Sequence, residues 1–263
     1  EMLESLGIPV IVEWSSYEPH PLGRVEWIKL YGLLTGHLDE AEAFFDESLK
    51  TLETVLNDGG DSAADTAVAV SDSSAIAQPS VANAPSVAID SSTTSASNVA
   101  ATSVDNTTSD ASLSVNAADQ KTVSFFYITS AGYANVRRPG DYISKMIALA
   151  GGDYLFPGSI SNDESQLTAI NMDLETFYTT SKDADILIYN STVEADLTSI
   201  DDLIKKSPLL EDFKAVKTGD VWCTNKNMFQ QISGTAEMIA EMHSIIHADG
   251  DIERELIYLH KLK

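Results

Sequence analysis

Apolar residues recur along this chain with two spacings, separated by a long tract that shows neither. After Leu6-Gly7-Ile8-Pro9, the run Val10–Trp14 reads as a strand leaving a glycine-capped helix end. Pro19-His20-Pro21 then breaks the chain, and Pro21 suits the first turn of a helix. Leu22, Val25, Ile28 and Tyr31 follow at helical spacing as far as Leu34, with Gly36 placed as a C-cap. A second helix is predicted from about Leu38 to Leu56, with Ala41, Phe44, Phe45, Leu49, Leu52 and Leu56 on its apolar side. At 1.5 Å per residue it would be about 30 Å long, enough to run along one lobe or between two.

The pattern then stops. From Gly59 to about Gln120 the chain is Ser, Ala, Thr, Asp, Asn and Val, without an aromatic residue, Lys or Arg. Ordering it would cost on the order of 60–120 kcal/mol of backbone entropy. Its few large aliphatics, Val68, Ile76, Ile89 and Leu113 among them, would return only about 20–30 kcal/mol if fully buried. A disordered acidic insert is therefore expected over 59–121. An O-glycosylated or wall-spanning stalk is the functional alternative.

Regular spacing resumes at Thr122. Val123–Ile128 reads as a buried strand, 141–150 as a helix and Tyr154–Phe156 as a short strand. A helix at Leu174–Thr180, a strand at Asp185–Tyr189 and a helix at Ile200–Lys205 come next. Asp220–Cys223 is the last predicted strand, before helices at Thr235–His247 and Ile252–Leu262. Strands alternating with helices imply an α/β fold with a largely parallel sheet.

Charge narrows the function. The formal net charge of −24 and pI near 4.3 argue against binding a phosphate backbone, so no nucleic-acid partner is expected. No stretch approaches the roughly 18 apolar residues of a membrane span. Cys223 is the single cysteine, which excludes an internal disulfide and a cysteine-based metal site. The acidic start, EMLESLGIPVIVEW, does not read as a signal peptide; it opens in mid-pattern, as a piece of a longer chain would.

Three stretches, IPVIVEWSSYEPHPLGRVEWIKLYGLLTG, GYANVRRPGDYISKMIALAGGDYLF and SPLLEDFKAVKTGDVWCTNKNMFQQ, together resemble the solute-binding proteins of bacterial ABC importers for iron-siderophores, haem and vitamin B12. The resemblance covers residues 1–58 and 121–263, in order, and leaves out the insert. It implies two α/β lobes joined by one long helix, with the ligand held between them. On that pattern residues 1–36 are a remnant of the N-terminal lobe, 37–58 the connecting helix and 122–263 the C-terminal lobe, so that most of the N-terminal lobe is absent here. It further implies a monomeric extracytoplasmic receptor, lipid-anchored through a missing N-terminus. Such a receptor does no chemistry and needs no cofactor of its own; it hands a metal chelate or corrinoid to a membrane permease.

The residues that could grip such a ligand follow from position. Arg137 and Arg138 stand just before the 141–150 helix, where two guanidiniums suit a carboxylate, a phosphate or a carbonyl-rich chelate. Their plainer role is pairing with the abundant surface acids. Ser130 and Tyr133 lie in the loop after the first C-lobe strand, and Phe229 and Gln230 in the loop after the last; loops carry function more often than strand interiors do. Trp14, Tyr127 and Trp222, on strands, suit a broad flat ligand, or else are simply core. By motif order the resemblance places Glu175 where the family meets arginines of the permease; otherwise it is a dipole-stabilised first-turn acid.

Direct metal binding is not expected. His243 and His247 have ligand spacing on one helix but no H-E-x-x-H context. An enzyme using Asp141 or Glu164 with Arg137 lacks a nucleophile–base pair, and a non-transport adhesin built around the insert is the remaining alternative.

Overall fold

The computed structural model describes residues 2–58, 120–158, 160, 169–192, 196–248, 252 and 254–263. The expectations for the insert at 59–119 and for Glu164 lie outside these residues.

Helical spacing and caps act locally, and the helices follow them. A single turn, α1 (Met2–Ser5), precedes α2 (Pro21–Glu26), where His20 Nδ1 accepts from the Leu22 N–H at 3.2 Å. The predicted 22–34 helix divides at Trp27, so that α3 (Ile28–Thr35) is a separate element, closed by Gly36 at φ 77°, a conformation costly to any side chain with a Cβ. Next comes α4 (Leu38–Asp58), 21 residues long, packing on α3.

The C-terminal part begins with β1 (Thr122–Ile128) and turns through Thr129–Tyr133 into β2 (Ala134–Arg137), which sequence spacing did not reveal. Beyond these lie α5 (Tyr142–Leu149), β3 (Asp153–Tyr154), β4 (Ala169–Met172), α6 (Leu174–Ser181) and β5 (Ile186–Tyr189). Last come α7 (Ile200–Lys206), α8 (Lys214–Thr218), β6 (Val221–Thr224), α9 (Thr235–His247) and β7 (Leu259–Lys261).

The strands form one seven-stranded sheet in the order β4-β2-β1-β5-β6-β7, with β3 added alongside β1. Its centre, β3-β1-β5-β6, is parallel, but β2 and β7 run against it and β4 pairs antiparallel with β2, so the sheet is mixed rather than largely parallel. The five-residue turn explains part of this, because parallel neighbours need a crossover about a dozen residues long.

Alternation along the strands supplies two cores. Val123, Phe125, Ile186, Ile188 and Trp222 face a layer made by α4, α5 and α9. Phe126, Ile128, Leu187, Tyr189, Val221 and Cys223 face the opposite way, into a core closed by α6, α7 and α8. Leu52 of α4 is part of the first core, so the described residues on both sides of the insert belong to one compact unit.

Two expectations at the margins are corrected. Val10–Trp14 pairs with no strand among the described residues, and Val12 is 62% exposed. An apolar run becomes a strand only where another backbone lies beside it. Residues 254–262 do not form a helix: the N–H groups of Ile257, Tyr258 and Leu259 all bond to the carboxylate of Glu241, and β7 then joins β6. Those amides are thereby withdrawn from any i→i−4 ladder.

Candidate functional site

Asp141 caps α5, its Oδ1 accepting from the Ile143 N–H at 3.0 Å, and is itself buried. The Arg138 carbonyl accepts from the Asp141 N–H (3.0 Å) and the Ser144 hydroxyl (2.8 Å), locking the Arg138–Gly140 corner onto the helix. Tyr154 fixes the preceding residue. Its hydroxyl accepts from the Arg137 N–H at 3.0 Å and donates to the Arg137 carbonyl at 2.8 Å, where β2 ends beside β3. Burial pushes the Tyr154 phenol well above its usual range, so it remains a donor.

From this fixed corner the Arg137 guanidinium lies over the Phe229 ring, 5.2 Å from its centroid. Phe229 meets Tyr142 edge to face, with centroids 6.4 Å apart and planes at 84°. On Tyr142 sits a second cation: the Arg24 guanidinium of α2, 3.6 Å from the ring centroid. Arg24 is held there by bonds from Nε to the Glu18 carbonyl (2.9 Å) and from Nη2 to the Ser16 carbonyl (2.8 Å). The result is a row with a cation at each end and two rings between, Arg137–Phe229–Tyr142–Arg24, linking the N-terminal segment to the C-terminal part. Each cation–ring contact of this kind contributes about 0.5–2 kcal/mol.

The electrostatics are unusual for so acidic a chain. Burial raises the Tyr142 phenol to about 12, against the opposing pull of Arg137 and Arg24. His20, at the start of α2, is held below its ordinary value by burial first and by Lys145 of α5 second. Among the described residues no carboxylate lies within ion-pair distance of Arg24, Arg137 or Lys145, whereas other Lys and Arg residues, Lys214 and Arg254 among them, form ion pairs elsewhere. Two guanidiniums without a carboxylate partner among the described residues thus lie on the two aromatic rings, with Lys145 near enough to act on His20. An open groove of about 330 Å³ runs beside α2, but Glu18 and Glu26 line it and none of the cations does.

Of the residues expected from sequence, Arg137 and Phe229 meet here. Arg138 is half-buried at the corner itself, and Gln230 is exposed next to Phe229, its N–H bonded to the Asn227 carbonyl. The others do not join the row. Trp222 is 6% exposed and belongs to the first core, because its place on β6 faces α9 rather than a cleft. Trp14 lies on the exposed N-terminal stretch against Tyr17, with centroids 5.1 Å apart. Tyr127 is half-buried on β1 opposite Asn135 and packs against the second core. Ser130 and Tyr133 occupy the β1–β2 turn, and the length of β2, roughly 13 Å, separates them from Arg137; Tyr133 is 47% exposed. Glu175 is exposed on the first turn of α6, beside the capping Asp173, and the pairing of Ala134 with Met172 puts that helix start at the Tyr133 end.

Of the acids in the enzyme alternative, Asp141 is buried and caps α5 through Oδ1, and Glu164 lies outside the described residues. Among the described residues no three His, Cys, Asp or Glu side chains gather as a metal site, and no helix is long and apolar enough to cross a membrane. Sequence reasoning missed Arg24, Tyr142, Lys145 and Tyr154. Only Tyr142 carried a signal, as the first helical residue after the two arginines.

No family model matches this chain. Two uncharacterized lipoproteins of Methanocaldococcus jannaschii are each 23% identical to it, over 248 and 269 residues, covering 94% and 100% of this chain but 44% and 53% of their own lengths. The chain therefore spans about half the length of the curated relatives it matches. Among solved structures, a possible iron-binding periplasmic solute-binding protein from Staphylococcus epidermidis is similar with a TM-score of 0.54 at 12% identity, covering 94% of this chain and 69% of that one. A periplasmic haem-binding protein of Vibrio cholerae gives 0.54 at 14% identity, with 91% and 69% covered. An ABC-type Fe3+-hydroxamate transport protein from Saccharomonospora viridis gives 0.55 at 14%, with 94% and 64% covered.

Proposed function

We infer that this chain, which has the α/β fold of periplasmic solute-binding proteins, is a binding protein rather than an enzyme. We propose that it is part of the extracytoplasmic receptor of an ABC importer and that it captures an anionic metal chelate, an iron-siderophore complex or haem, for delivery to a permease. The observation that carries this reading is the Arg137–Phe229–Tyr142–Arg24 row. In a chain of net charge −24, two guanidiniums, one on each of two rings and neither within ion-pair distance of a carboxylate among the described residues, suit a flat ligand bearing negative charge. In this reading α4 is the connecting helix, residues 1–36 belong to the N-terminal lobe and 122–263 form the C-terminal lobe. The exposure of Ile8, Val10, Ile11 and Val12 supports it, since such a run fits a second sheet. Glu175 is the permease contact, and the lipoprotein names of the relatives favour a lipid-anchored, extracytoplasmic location.

Tryptophan fluorescence titrations with haemin, ferrichrome and cyanocobalamin test the proposal. Haemin or another anionic chelate is expected to bind at roughly micromolar concentration or tighter. Arg137→Gln should weaken that binding about tenfold by removing a charge-assisted contact. If none of the chelates binds, the transport reading is wrong; if cyanocobalamin or the neutral ferrichrome binds and haemin does not, the anionic ligand class is wrong.

A further inference from the structure

The C-terminal segment, expected to be a helix, instead lies along the loop that carries Phe229 and Gln230. Asn225, the first residue of that loop, is held by three C-terminal residues. Its N–H donates to the Tyr258 carbonyl at 2.8 Å and its Nδ2 to the Ile257 carbonyl at 2.7 Å. Because Nδ2 is thereby assigned, Oδ1 is the atom facing His260 Nδ1 at 2.6 Å, and the imidazole donates to it. Further along the loop, the Tyr258 hydroxyl donates to Gln231 Oε1 at 2.8 Å. Just beyond, Gly234 admits the Tyr258 hydroxyl so closely that no Cβ would fit.

The segment is itself anchored. Glu241 of α9 is 0% exposed, and its carboxylate accepts from the N–H groups of Ile257 (2.5 Å), Tyr258 (2.9 Å) and Leu259 (3.1 Å). Three amide donors offset the cost of burying a carboxylate that no cation among the described residues neutralises. Arg254, paired with Glu237, adds a second tie to α9.

We infer that Arg254–Leu262 is a strap that positions the Phe229 loop, with Glu241 as its anchor and Asn225 and Tyr258 as the points where it holds the loop. These are positioning residues: none is placed against ligand, and they act through Phe229, whose ring carries the Arg137 and Tyr142 contacts. The inference rests on the reading of that row as the ligand site.

Two readouts keep the strap and that reading apart. Hydrogen exchange of residues 225–231 needs no ligand; Glu241→Gln, which substitutes amide hydrogens for an acceptor oxygen, should accelerate it about tenfold while β5 and α6 stay protected. Tyr258→Phe removes one hydroxyl and keeps the ring, so it carries the test if the first variant does not fold. With the unfolding midpoint unchanged, Tyr258→Phe should speed haemin dissociation about fivefold and leave association alone. Unchanged exchange in the loop, exchange that rises equally through the whole sheet, or a loosened loop with parental dissociation each overturns the strap. Failure of the parent protein to bind haemin or ferrichrome counts against the transport reading instead, and the exchange result then decides the strap.

Discussion

Two short apolar segments, one near each end of the chain, met opposite fates. Ile8–Trp14 is rich in β-branched residues yet lies exposed and unpaired among the described residues, while Ile257–Leu262 buries Tyr258, Leu259 and Leu262, pairs with β6 and is clamped by Glu241. Composition does not separate them; if anything it favours the first as the strand. The difference is where their backbone polar groups go. The second segment finds a neighbouring strand and a carboxylate, and the first finds neither.

The largest effect expected from breaking this contrast is at Leu259. It is fully buried in the first core, so Leu259→Ala should cost about 2–5 kcal/mol in urea unfolding. A loss under about 0.5 kcal/mol would mean the strap is not packed as described.

A smaller, pH-dependent effect is expected at His260. Both ring nitrogens face acceptors, Asn225 Oδ1 at 2.6 Å and the Leu197 carbonyl at 2.7 Å, so the doubly protonated form fits best. The Cys223 side chain, with the Leu197 carbonyl and Asp196, holds the imidazole above its ordinary value against the effect of burial. A raised folded-state value means the stabilisation is complete below the unfolded value near 6.5 and is lost as pH rises through the folded one. Urea midpoints followed from about pH 6 to about pH 9 should therefore fall more for the parent than for His260→Gln. Parallel curves would show that the ring is not protonated in the fold.

Arg254→Gln tests the outer tie. The Arg254–Glu237 pair is partly exposed, and its loss should cost about 0.2–1 kcal/mol, diminished by added salt. The smallest change belongs to the other segment: Val12→Thr should alter stability by less than about 0.5 kcal/mol. A larger loss would reveal that Ile8–Trp14 is buried against something in solution, and the contrast would disappear.

Much of the fold was legible in advance. Thr235–His247 was read to the residue as a helix, and β1, β5 and β6 came within a residue or two, because hydrophobic period and caps are properties of neighbours in sequence. The strands β2, β4 and β7 were not, since each owes its existence to an antiparallel partner outside its own short pattern. The site divides along the same line. Arg137 and Phe229 stood out as charge and ring in loops, whereas Arg24 looked like one polar position on an amphipathic helix. Only the packing of α2 against α5 sets its guanidinium on Tyr142.

Residue order alone thus settles the acidity, the α/β alternation and the lengths of the main helices, all of which depend on interactions within a few residues. Which strands pair, whether the last dozen residues coil or extend, and which cations converge on one pair of rings depend on atoms distant in the chain. Buried amides and carboxylates must find partners wherever the fold supplies them, and that requirement turned the C-terminus from a helix into a strap.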